Sequence, residues 1–462
     1  MDNMEKVHFV GIGGISMSGL AEMLHSRGLI ISGSDAKESD TTTRLRKIGI
    51  TVLEGHRAEN ITEDLDMVVY TAAVKEDNPE IIAAKKLNVE LVDRAALIGR
   101  IMKYYNCPIC ISGTHGKTTT TSMVADIFLA AGKNPAINVG GVMPSINASF
   151  STGAESRNYF ILEACEYSNS FLNFYPAIAI ILNIEADHLD YFGGLDDIRH
   201  SFRRFAENIR PGGLLIIHHN IEGLEELVAG LNCKVVTYGI DKGDWQAANI
   251  SFDEEGFASF DCIYNNKNLG RLNLQLRGLH NVKNTLAACA AATDQGLSFS
   301  FLQESLKQFE PPKRRFEIKG KANGICVVDD YAHHPTEIKA TLQAAKNTPH
   351  RQIWCVFQPH TYTRTKLLLH ELADSFDNAD NVVLLDIYAA REVNKEEIHS
   401  RDLLELLRKR QKNAFYFDNF SEAENFLIKN CIHGDLLITM GAGDVYILGE
   451  RIIRTKFSTL ST

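Results

Sequence analysis

A glycine-rich segment at residues 113–118 has the residue types that bind nucleotide phosphates. Gly113-Thr-His-Gly-Lys117-Thr118 follows an apolar run and precedes a helix-like segment. In such loops backbone N–H groups cradle phosphate oxygens, the lysine reaches the terminal phosphates and the hydroxyl binds Mg²⁺. Only two residues separate the two glycines, where the general pattern has four, so the loop is a shortened variant. We predict that nucleotide phosphates bind at Gly113, Thr114, His115, Gly116, Lys117, Thr118 and Thr119.

Two later side chains could bind the metal that phosphoryl transfer requires. Glu163 ends the apolar run Tyr159-Phe-Ile-Leu, and Asp187-His188 follows an apolar run at residues 178–184. Each is unremarkable alone, since carboxylates often end strands and histidines often lie in loops. Both, however, come directly after a strand that follows the phosphate loop, and metal-bound phosphates need their charge neutralised. The sequence therefore predicts that Thr118, Glu163 and His188 bind Mg²⁺.

A second glycine-rich loop, Gly11-Ile-Gly13-Gly14-Ile-Ser16, lies near the N-terminus between an apolar strand and a helical stripe. Glycines there let backbone N–H groups approach a pyrophosphate, which the helix N-terminus also favours. Asp35 ends the next strand, where a carboxylate can accept from a ribose hydroxyl. The nicotinamide fingerprint requires glycine where Ser16 stands. The loop thus indicates a nucleotide diphosphate rather than NAD, with a simple tight turn as the alternative.

Short apolar strands alternate with amphipathic helices along the whole chain, which predicts an α/β fold with parallel, helix-covered sheets. The stripe Met17, Leu20, Ala21 and Leu24 predicts the first helix. The pattern restarts near residues 108 and 325, and a Pro-Pro-Lys-Arg-Arg segment at 311–315 can act as a linker. We predict domains at 1–104, 105–311 and 312–462, with a smaller subsheet within 212–276.

Composition excludes several classes of protein. The 462 residues include 48 Lys plus Arg against 58 Asp plus Glu, a formal charge of −10 that argues against a nucleic-acid binder. We find no signal-peptide pattern and no apolar run of membrane-spanning length, so we expect a cytoplasmic protein without membrane insertion. Nine cysteines, most of them within apolar runs, favour reduced core thiols. The pair Cys107-Pro-Ile-Cys110 has metal-site spacing but reads as part of a strand.

Seven motifs, in order along nearly the whole chain, resemble the Mur ligase family. They are GIGGISMSG at 11–19, SGTHGKTTTT at 112–121, NIEADHLDYF at 183–192, GLHNVKNTLAA at 278–288, KRRF at 313–316, DDYAHHPTEI at 329–338 and FQPHTYTRTK at 357–366. The resemblance implies an N-terminal Rossmann-like domain for a uridine diphosphate sugar and a central P-loop ATPase-type domain. It also implies a C-terminal Rossmann-like α/β domain that closes on the site and contacts an amino acid.

The resemblance is strongest to the alanine-adding branch, which acts in peptidoglycan synthesis. It implies that ATP phosphorylates the lactyl carboxylate of UDP-N-acetylmuramate, and that L-alanine then attacks the acyl phosphate. His280, Asn281 and Asn284 would contact adenine, and Arg314, Arg315 and Asp330 would complete the ATP site. The sugar nucleotide or amino acid would meet Gly11, Gly13, Gly14, Ser16, Met17, Ser18, Asp35, Tyr331, His333 and Arg364. Lys117, Glu163, His188, Arg315 and His333 would be catalytic, with His333 as a candidate proton acceptor.

Departures from the family pattern leave some points open. Cys165 and Ser168 stand in a stretch that is more acidic in many relatives, and Thr361 stands where many carry arginine. The absence of lysine from residues 198–205 agrees with the alanine-adding branch. A ligase that adds a tripeptide to the same sugar nucleotide, an NAD-dependent protein and a P-loop switch are the rival readings. We expect a monomer or weak homodimer, and leave open the choice among alanine, glycine and serine.

Overall fold

The computed structural model describes residues 4–71, 74–153, 157–390, 392–393 and 397–458, without the side chains of 456–458. The chain forms two compact units. The first contains residues 1–185, 195–245 and 287–305, and the second contains residues 186–194, 246–286 and 306–462.

The N-terminal part of the first unit is a five-stranded parallel sheet in the order β3-β2-β1-β4-β5. Its elements are β1 (Lys6–Val10), α1 (Ile15–His25), β2 (Ile30–Asp35), α2 (Asp40–Lys47), β3 (Thr51–Glu54), β4 (Met67–Tyr70), α3 (Pro79–Leu87), β5 (Glu90–Asp93) and α4 (Arg94–Met102). The strand order reverses between β1 and β4. In open α/β sheets this switch point, at the carboxyl ends of the strands, is where ligands bind.

The rest of the first unit is a sheet in the order β12-β11-β10-β6-β9-β7-β8, parallel except for β8. Its elements are β6 (Cys107–Ser112), α5 (Lys117–Ala130), β7 (Ala136–Met143), β8 (Ala148–Ser151), β9 (Tyr159–Glu163), β10 (Ile178–Ile181), α6 (Leu195–Glu207), β11 (Leu214–His218), α7 (Leu224–Val228) and β12 (Lys234–Gly239). The central strands are apolar and buried, as expected for a sheet covered on both faces.

The second unit begins with three consecutive neighbouring strands, of which the last two pair antiparallel. They are β13 (Trp245–Phe252), β14 (Phe257–Tyr264) and β15 (Lys267–Arg277). Helices α8 (Leu279–Asp294) and α9 (Phe299–Lys307) follow, and each contains a point where the chain passes between units.

The C-terminal sheet of the second unit has the order β16-β17-β21-β18-β19-β20 and is parallel except for β16. Its elements are β16 (Glu317–Ala322), β17 (Ile325–Asp330), α10 (Pro335–Lys346), β18 (Ile353–Phe357), α11 (Tyr362–Leu367), α12 (Leu369–Ala373), β19 (Asn381–Leu384), α13 (Ser400–Lys409), β20 (Asn413–Tyr416), α14 (Phe420–Asn430), β21 (Leu436–Met440) and α15 (Tyr446–Ser458). Ile338 and Leu342 of α10 are fully buried against one face of this sheet, and Val445 and Leu448 pack with the core of the other.

The predicted three-domain α/β fold is confirmed. The stripe predicted for the first helix lies buried in α1, and Cys107 and Cys110 lie in strand β6 as expected. Within 212–276, where a smaller subsheet was expected, β11 and β12 continue the parallel sheet, and β14 and β15 pair antiparallel. Among the described helices, none has the length and apolar character needed to cross a bilayer.

Candidate active site

The predicted phosphate loop joins β6 to α5, with glycines at its two conformationally demanding positions. Gly113 and Gly116 have φ values of 138° and 83°, which residues with a Cβ atom rarely adopt. A Cβ at Gly113 would also lie 3.0 Å from Leu182 Cβ. Gly116 caps α5, and Lys117 is the first residue of that helix. The loop therefore presents backbone N–H groups at a helix N-terminus, a geometry suited to anions.

Asn183 holds this loop through backbone contacts. Its Oδ1 accepts from the N–H of His115 at 2.8 Å, and its Nδ2 donates to the carbonyl of the same residue at 3.1 Å. The Thr114 hydroxyl accepts from the N–H of Glu185 at 2.9 Å. Since Asn183 and Glu185 follow β10, the neighbouring strand fixes the loop before any ligand arrives.

The ammonium of Lys117 is buried among acceptors. It donates to the carbonyls of Gly113 and Thr114, at 2.5 Å and 3.1 Å, and to the two oxygens of Glu166, at 3.2 Å and 3.0 Å. Burial disfavours the charged ammonium, but the Glu166 carboxylate outweighs that effect and raises the pKa of Lys117 above its usual range. Glu166 itself is almost fully buried. The pairing of Glu166 with Lys117 was not predicted from the sequence.

Strand β7 connects the carboxylate predicted to bind metal with the first glycine loop. The N–H of Gly140 donates to Glu163 Oε1 at 2.9 Å, and a Cβ at Gly140 would lie 2.7 Å from Oε2 of the same carboxylate. Two residues earlier, Asn138 Nδ2 donates to Ser16 Oγ at 3.3 Å. Residues two apart on a strand share a face. Asn138 and Gly140 thus link two predicted sites, and neither was singled out from the sequence.

The first glycine loop is held from the neighbouring strand β2. The N–H groups of Gly11 and Ile12 donate to the carbonyl of Ser34, at 2.8 Å and 2.9 Å, and the N–H of Gly13 donates to Asp35 Oδ2 at 2.9 Å. Asp35 thus contributes to the shape of the loop. Gly14 caps α1, while the side chains of Met17 and Ser18 are buried. Of the polar residues predicted here, Ser16 is the one with a side chain directed at β7.

In the second unit the predicted residue Arg364 forms an ion pair with Asp187, which was not itself predicted for the site. Arg364 donates from Nε and Nη2 to Asp187 Oδ1, at 3.1 Å and 3.0 Å. Burial disfavours the Asp187 carboxylate, but the Arg364 charge prevails and holds the pKa of Asp187 well below its usual range. His188 has a positive φ of 53° and follows this carboxylate directly. His360, a residue not predicted for the site, lies 3.0 Å from Arg364 through Nδ1.

His333 lies within the same group of residues. Its ring packs edge-to-face against His360 with 5.5 Å between ring centroids, and its Nδ1 lies 3.0 Å from the carbonyl of Tyr331. That contact assigns the proton to Nδ1 and leaves Nε2 as the basic nitrogen. Burial lowers the pKa of His333 to about 4, an effect that Glu337 opposes and Arg364 reinforces. The imidazole is therefore neutral near pH 7.

The two predicted arginines of the linker have different surroundings. Arg314 donates from Nε to the buried Asp329 at 2.9 Å and from Nη2 to the carbonyl of Gly441 at 2.7 Å. The guanidinium of Arg315 lies 5.3 Å from the ring centroid of Tyr331. Arg314 therefore anchors the linker to the C-terminal sheet. Asp330 accepts from the N–H of Phe316 at 2.7 Å, and burial raises its pKa to about 6.

The residues predicted to contact adenine begin helix α8. Asn281 Nδ2 donates to the carbonyl of Arg277 at 2.8 Å, and Asn284 Nδ2 donates to Asn281 Oδ1 at 3.2 Å. Asn284 is buried, and burial lowers the pKa of His280 to about 4. The two amides thus form a chain along one face of the helix, as their spacing of three residues predicts.

The oxygen donors of the first unit suit a hard divalent cation. Glu163 ends β9, which pairs directly with β6 through Ile111, and Thr118 lies in the first turn of the helix that follows β6. Carboxylate and hydroxyl oxygens are the ligands that Mg²⁺ prefers. His188 offers a nitrogen donor and belongs to the other unit. Thr118 and Glu163 therefore fit the ion by their chemistry better than His188 does.

The structure defines an α/β protein with two glycine-rich loops, each between a parallel strand and a helix. Three family profiles match the chain: "Mur ligase family, catalytic domain" over residues 6–106, "Mur ligase middle domain" over 111–292 and "Mur ligase, glutamate ligase domain" over 314–443. The UDP-N-acetylmuramate–L-alanine ligase of Agathobacter rectalis is 53% identical over 449 residues, which cover 97% of each chain. The chain belongs to the Mur ligase family.

Solved structures agree with this assignment. A UDP-N-acetylmuramate-alanine ligase from Thermotoga maritima superposes with a TM-score of 0.81 at 31% identity, covering 98% of this chain and 99% of its own. A murein peptide ligase from Psychrobacter arcticus superposes with a TM-score of 0.71 at 27% identity, covering 98% of both chains. The similarity is greater to the alanine ligase than to the peptide ligase.

Proposed function

We propose that this protein joins L-alanine to the lactyl carboxylate of UDP-N-acetylmuramate at the expense of ATP, as a step of peptidoglycan precursor synthesis. The observation that carries the proposal is the 53% identity, over nearly the full length of both chains, to a relative named for this reaction. The two glycine loops agree with it, because a ligase of this type must hold both a nucleoside triphosphate and a sugar nucleotide.

The chemistry explains why ATP is needed. A carboxylate is a poor acylating agent, since oxide is a poor leaving group. Transfer of the γ-phosphoryl group to a carboxylate oxygen gives an acyl phosphate and ADP. The amine of L-alanine then attacks the acyl carbon, and phosphate leaves. The first step brings two anions together, so cations must be held in place beforehand.

Lys117 is proposed to hold the β- and γ-phosphates, with the N–H groups of residues 113–119 around them. The phosphates of ATP would replace the Glu166 carboxylate as the partner of the Lys117 ammonium. Thr118 and Glu163 would hold one Mg²⁺ and His188 a second one near the substrate, and these ions would neutralise charge on the transferred phosphoryl group. Arg315, whose guanidinium lies 5.3 Å from the ring centroid of Tyr331, is proposed to reach the γ-phosphate.

The amino acid is proposed to bind in the second unit. Arg364 would receive the carboxylate of L-alanine, and the neutral His333 would take a proton from the amine through Nε2. Pairing of Arg364 with the incoming carboxylate would reduce the positive field on His333. That change favours protonation of the imidazole at the stage when a proton acceptor is needed.

The three domains would divide this work as expected from the sequence. Residues 1–104 would bind the sugar nucleotide at the first glycine loop and Asp35, residues 105–311 would bind ATP, and residues 312–462 would close on the site. Closure would exclude the water that hydrolyses acyl phosphates. His280, Asn281 and Asn284 would contact adenine, with Asp330 and Tyr331 at the linker side. We also propose a cytoplasmic location and a monomer or weak homodimer.

One assay tests the proposal against its rivals. The protein is incubated with ATP, Mg²⁺ and UDP-N-acetylmuramate, together with L-alanine, glycine, L-serine or a tripeptide. Phosphate release and product mass are then followed. We expect phosphate release that requires both the sugar nucleotide and L-alanine, with a product heavier by one alanyl residue. Release independent of both would refute the ligase, and a preference for the tripeptide would favour the peptide-recycling alternative.

A further inference from the structure

A fully buried carboxylate lies beneath the first glycine loop and takes no part in the mechanism above. Glu80 follows Pro79 in the first turn of α3, and its side chain is 0% exposed. Buried carboxylates are costly unless they are paired or hydrogen-bonded. Such a group in this place therefore requires an explanation from its surroundings.

Glu80 is surrounded by polar side chains from β1, from the end of β2 and from the segment after β3. Its Oε2 accepts from Ser34 Oγ at 2.6 Å and lies 2.9 Å from His56 Nδ1, while its Oε1 accepts from Asn60 Nδ2 at 2.6 Å. His8 Nε2 of β1 lies 3.5 Å from Oε1. Burial opposes ionisation, but these partners prevail and lower the pKa of Glu80 to about 2. The group is therefore a buried anion at neutral pH.

Ser34 connects this anion to the glycine loop. Its hydroxyl donates to Glu80, and its carbonyl accepts the N–H groups of Gly11 and Ile12. The Asn60 side chain donates both to Glu80 and to the carbonyl of Gly55, whose own N–H donates to the carbonyl of Asp35. The routes through Ser34 and Asn60 thus end at backbone groups that shape the loop or lie beside it.

We propose that Glu80 is the positioning residue of the sugar-nucleotide site, fixing through Ser34 and Asn60 the backbone geometry in which the first glycine loop receives a diphosphate. This proposal rests on the assignment of the sugar nucleotide to the N-terminal domain. It is specific to one substrate, because the network joins β1, β2 and the segment after β3 and includes no residue of the ATP loop. Loss of the Glu80 charge should therefore weaken binding of the sugar nucleotide and leave binding of ATP unchanged.

The test compares Glu80→Gln with wild type in the full-length protein. Binding of UDP-N-acetylmuramate is measured by calorimetry, and KM and kcat are measured for each substrate. We expect Kd and KM for the sugar nucleotide to rise about tenfold, since the buried hydrogen bonds of the network are rearranged. KM for ATP and kcat at saturation should change less than about twofold. An unchanged KM for the sugar nucleotide, or an equal rise for ATP, would overturn the proposal.

Asp66→Asn is the matched control. Asp66 Oδ2 accepts the N–H groups of Glu5 and Lys6, at 2.7 Å and 2.8 Å, and so anchors the opposite end of β1. This variant should lower thermal stability and leave KM for the sugar nucleotide unchanged. If Glu80→Gln fails to fold, Ser34→Ala decides, because it removes the connecting hydroxyl and keeps the carbonyl that holds the loop. We expect a rise of roughly threefold in the same KM, and no rise would refute the route through Ser34.

The experiment separates the two levels of the argument. A wild-type protein that fails to bind UDP-N-acetylmuramate would refute the proposed function. A wild-type protein that binds it, alongside a Glu80→Gln variant that binds it equally well, would refute only the positioning role.

Discussion

Substitution of Gly140 by alanine leaves the Glu163 carboxylate chemically unchanged. It therefore tests, through the position of that carboxylate alone, whether Glu163 binds the metal. The added Cβ would lie 2.7 Å from Glu163 Oε2, whereas ordinary contacts of this kind begin at 3.4 Å. Glu163 or the strand must therefore move by about 0.7 Å, the difference between these distances. Metal–ligand distances tolerate only about 0.2 Å. A shift of that size is several times what the coordination of a divalent cation allows.

The measurement is the Mg²⁺ dependence of turnover at saturating ATP, sugar nucleotide and L-alanine. Disturbed support of a metal ligand typically costs about 10- to 100-fold in metal affinity or activity. We expect a rise of this size in the Mg²⁺ concentration at half-maximal rate, with KM for the sugar nucleotide close to wild type. The melting temperature of the variant checks that the sheet remains folded.

A double-mutant cycle with Glu163→Gln shows whether the effect passes through this carboxylate. If Gly140→Ala acts by displacing Glu163, it should add little in the Glu163→Gln background, because the displaced ligand is already lost. Additive losses would mean that Gly140 acts by another route. An unchanged Mg²⁺ dependence in both single variants would refute the metal role of Glu163 and, with it, the proposed Mg²⁺ site.

Three further predictions concern charge pairs, and a fourth concerns the burial of Asp330. Lys117→Ala should reduce turnover by more than about a thousandfold and leave calorimetric binding of the sugar nucleotide intact; turnover near wild type would refute the assignment of the ATP loop. Glu166→Gln should tighten binding of Mg²⁺-free ATP several-fold, since phosphate and carboxylate compete for one ammonium; weaker binding would instead indicate that Glu166 supports the nucleotide. Arg364→Lys should raise KM for L-alanine about tenfold or more while KM for ATP stays constant, because lysine lacks the bidentate fork; equal changes in both would exclude a specific role. For Asp330, burial raises the pKa to about 6, so the folded state binds more protons than the unfolded state between about pH 4 and pH 6. Its contribution to stability therefore falls as the pH rises through this window, and the melting temperature of Asp330→Asn relative to wild type should be higher at pH 7.5 than at pH 4.5; a difference independent of pH would contradict this.

The fold was predictable because local signals agreed with one another. Apolar strands, glycine turns and helical stripes alternate along the chain, and each indicates a parallel, helix-covered sheet. The stripe of α1 is buried as predicted. Where strands lack such a signature the prediction was less accurate. The sequence of β11 and β12 does not by itself show that they extend the parallel sheet, since strand pairing is decided by the packing of the whole sheet.

The candidate site was predictable where a residue type has few uses, and not where geometry decides. The position of Lys117, at the start of a helix directly after a glycine loop, was predictable from the sequence. Glu166 lies only three residues beyond Glu163, but its approach to the lysine depends on a turn in which Ser168 and Asn169 have positive φ values of 54° and 55°. Asn183 holds the loop through an amide that could equally have faced solvent. Contacts of this kind join distant parts of the chain, so spacing cannot indicate them.

Three of the cations predicted to bind anionic ligands form salt bridges with carboxylates of the protein itself. Lys117 lies against Glu166 in the first unit, and in the second unit Arg364 lies against Asp187 and Arg314 against Asp329. A chain with a net charge of −10 has carboxylates to spare for this purpose. Such pairs hold the cations in a fixed orientation before substrate binds. Binding of an anion then becomes an exchange of partners. Affinity depends on how much better phosphate or substrate carboxylate satisfies the cation than the internal carboxylate does, so geometry, rather than charge alone, selects the ligand.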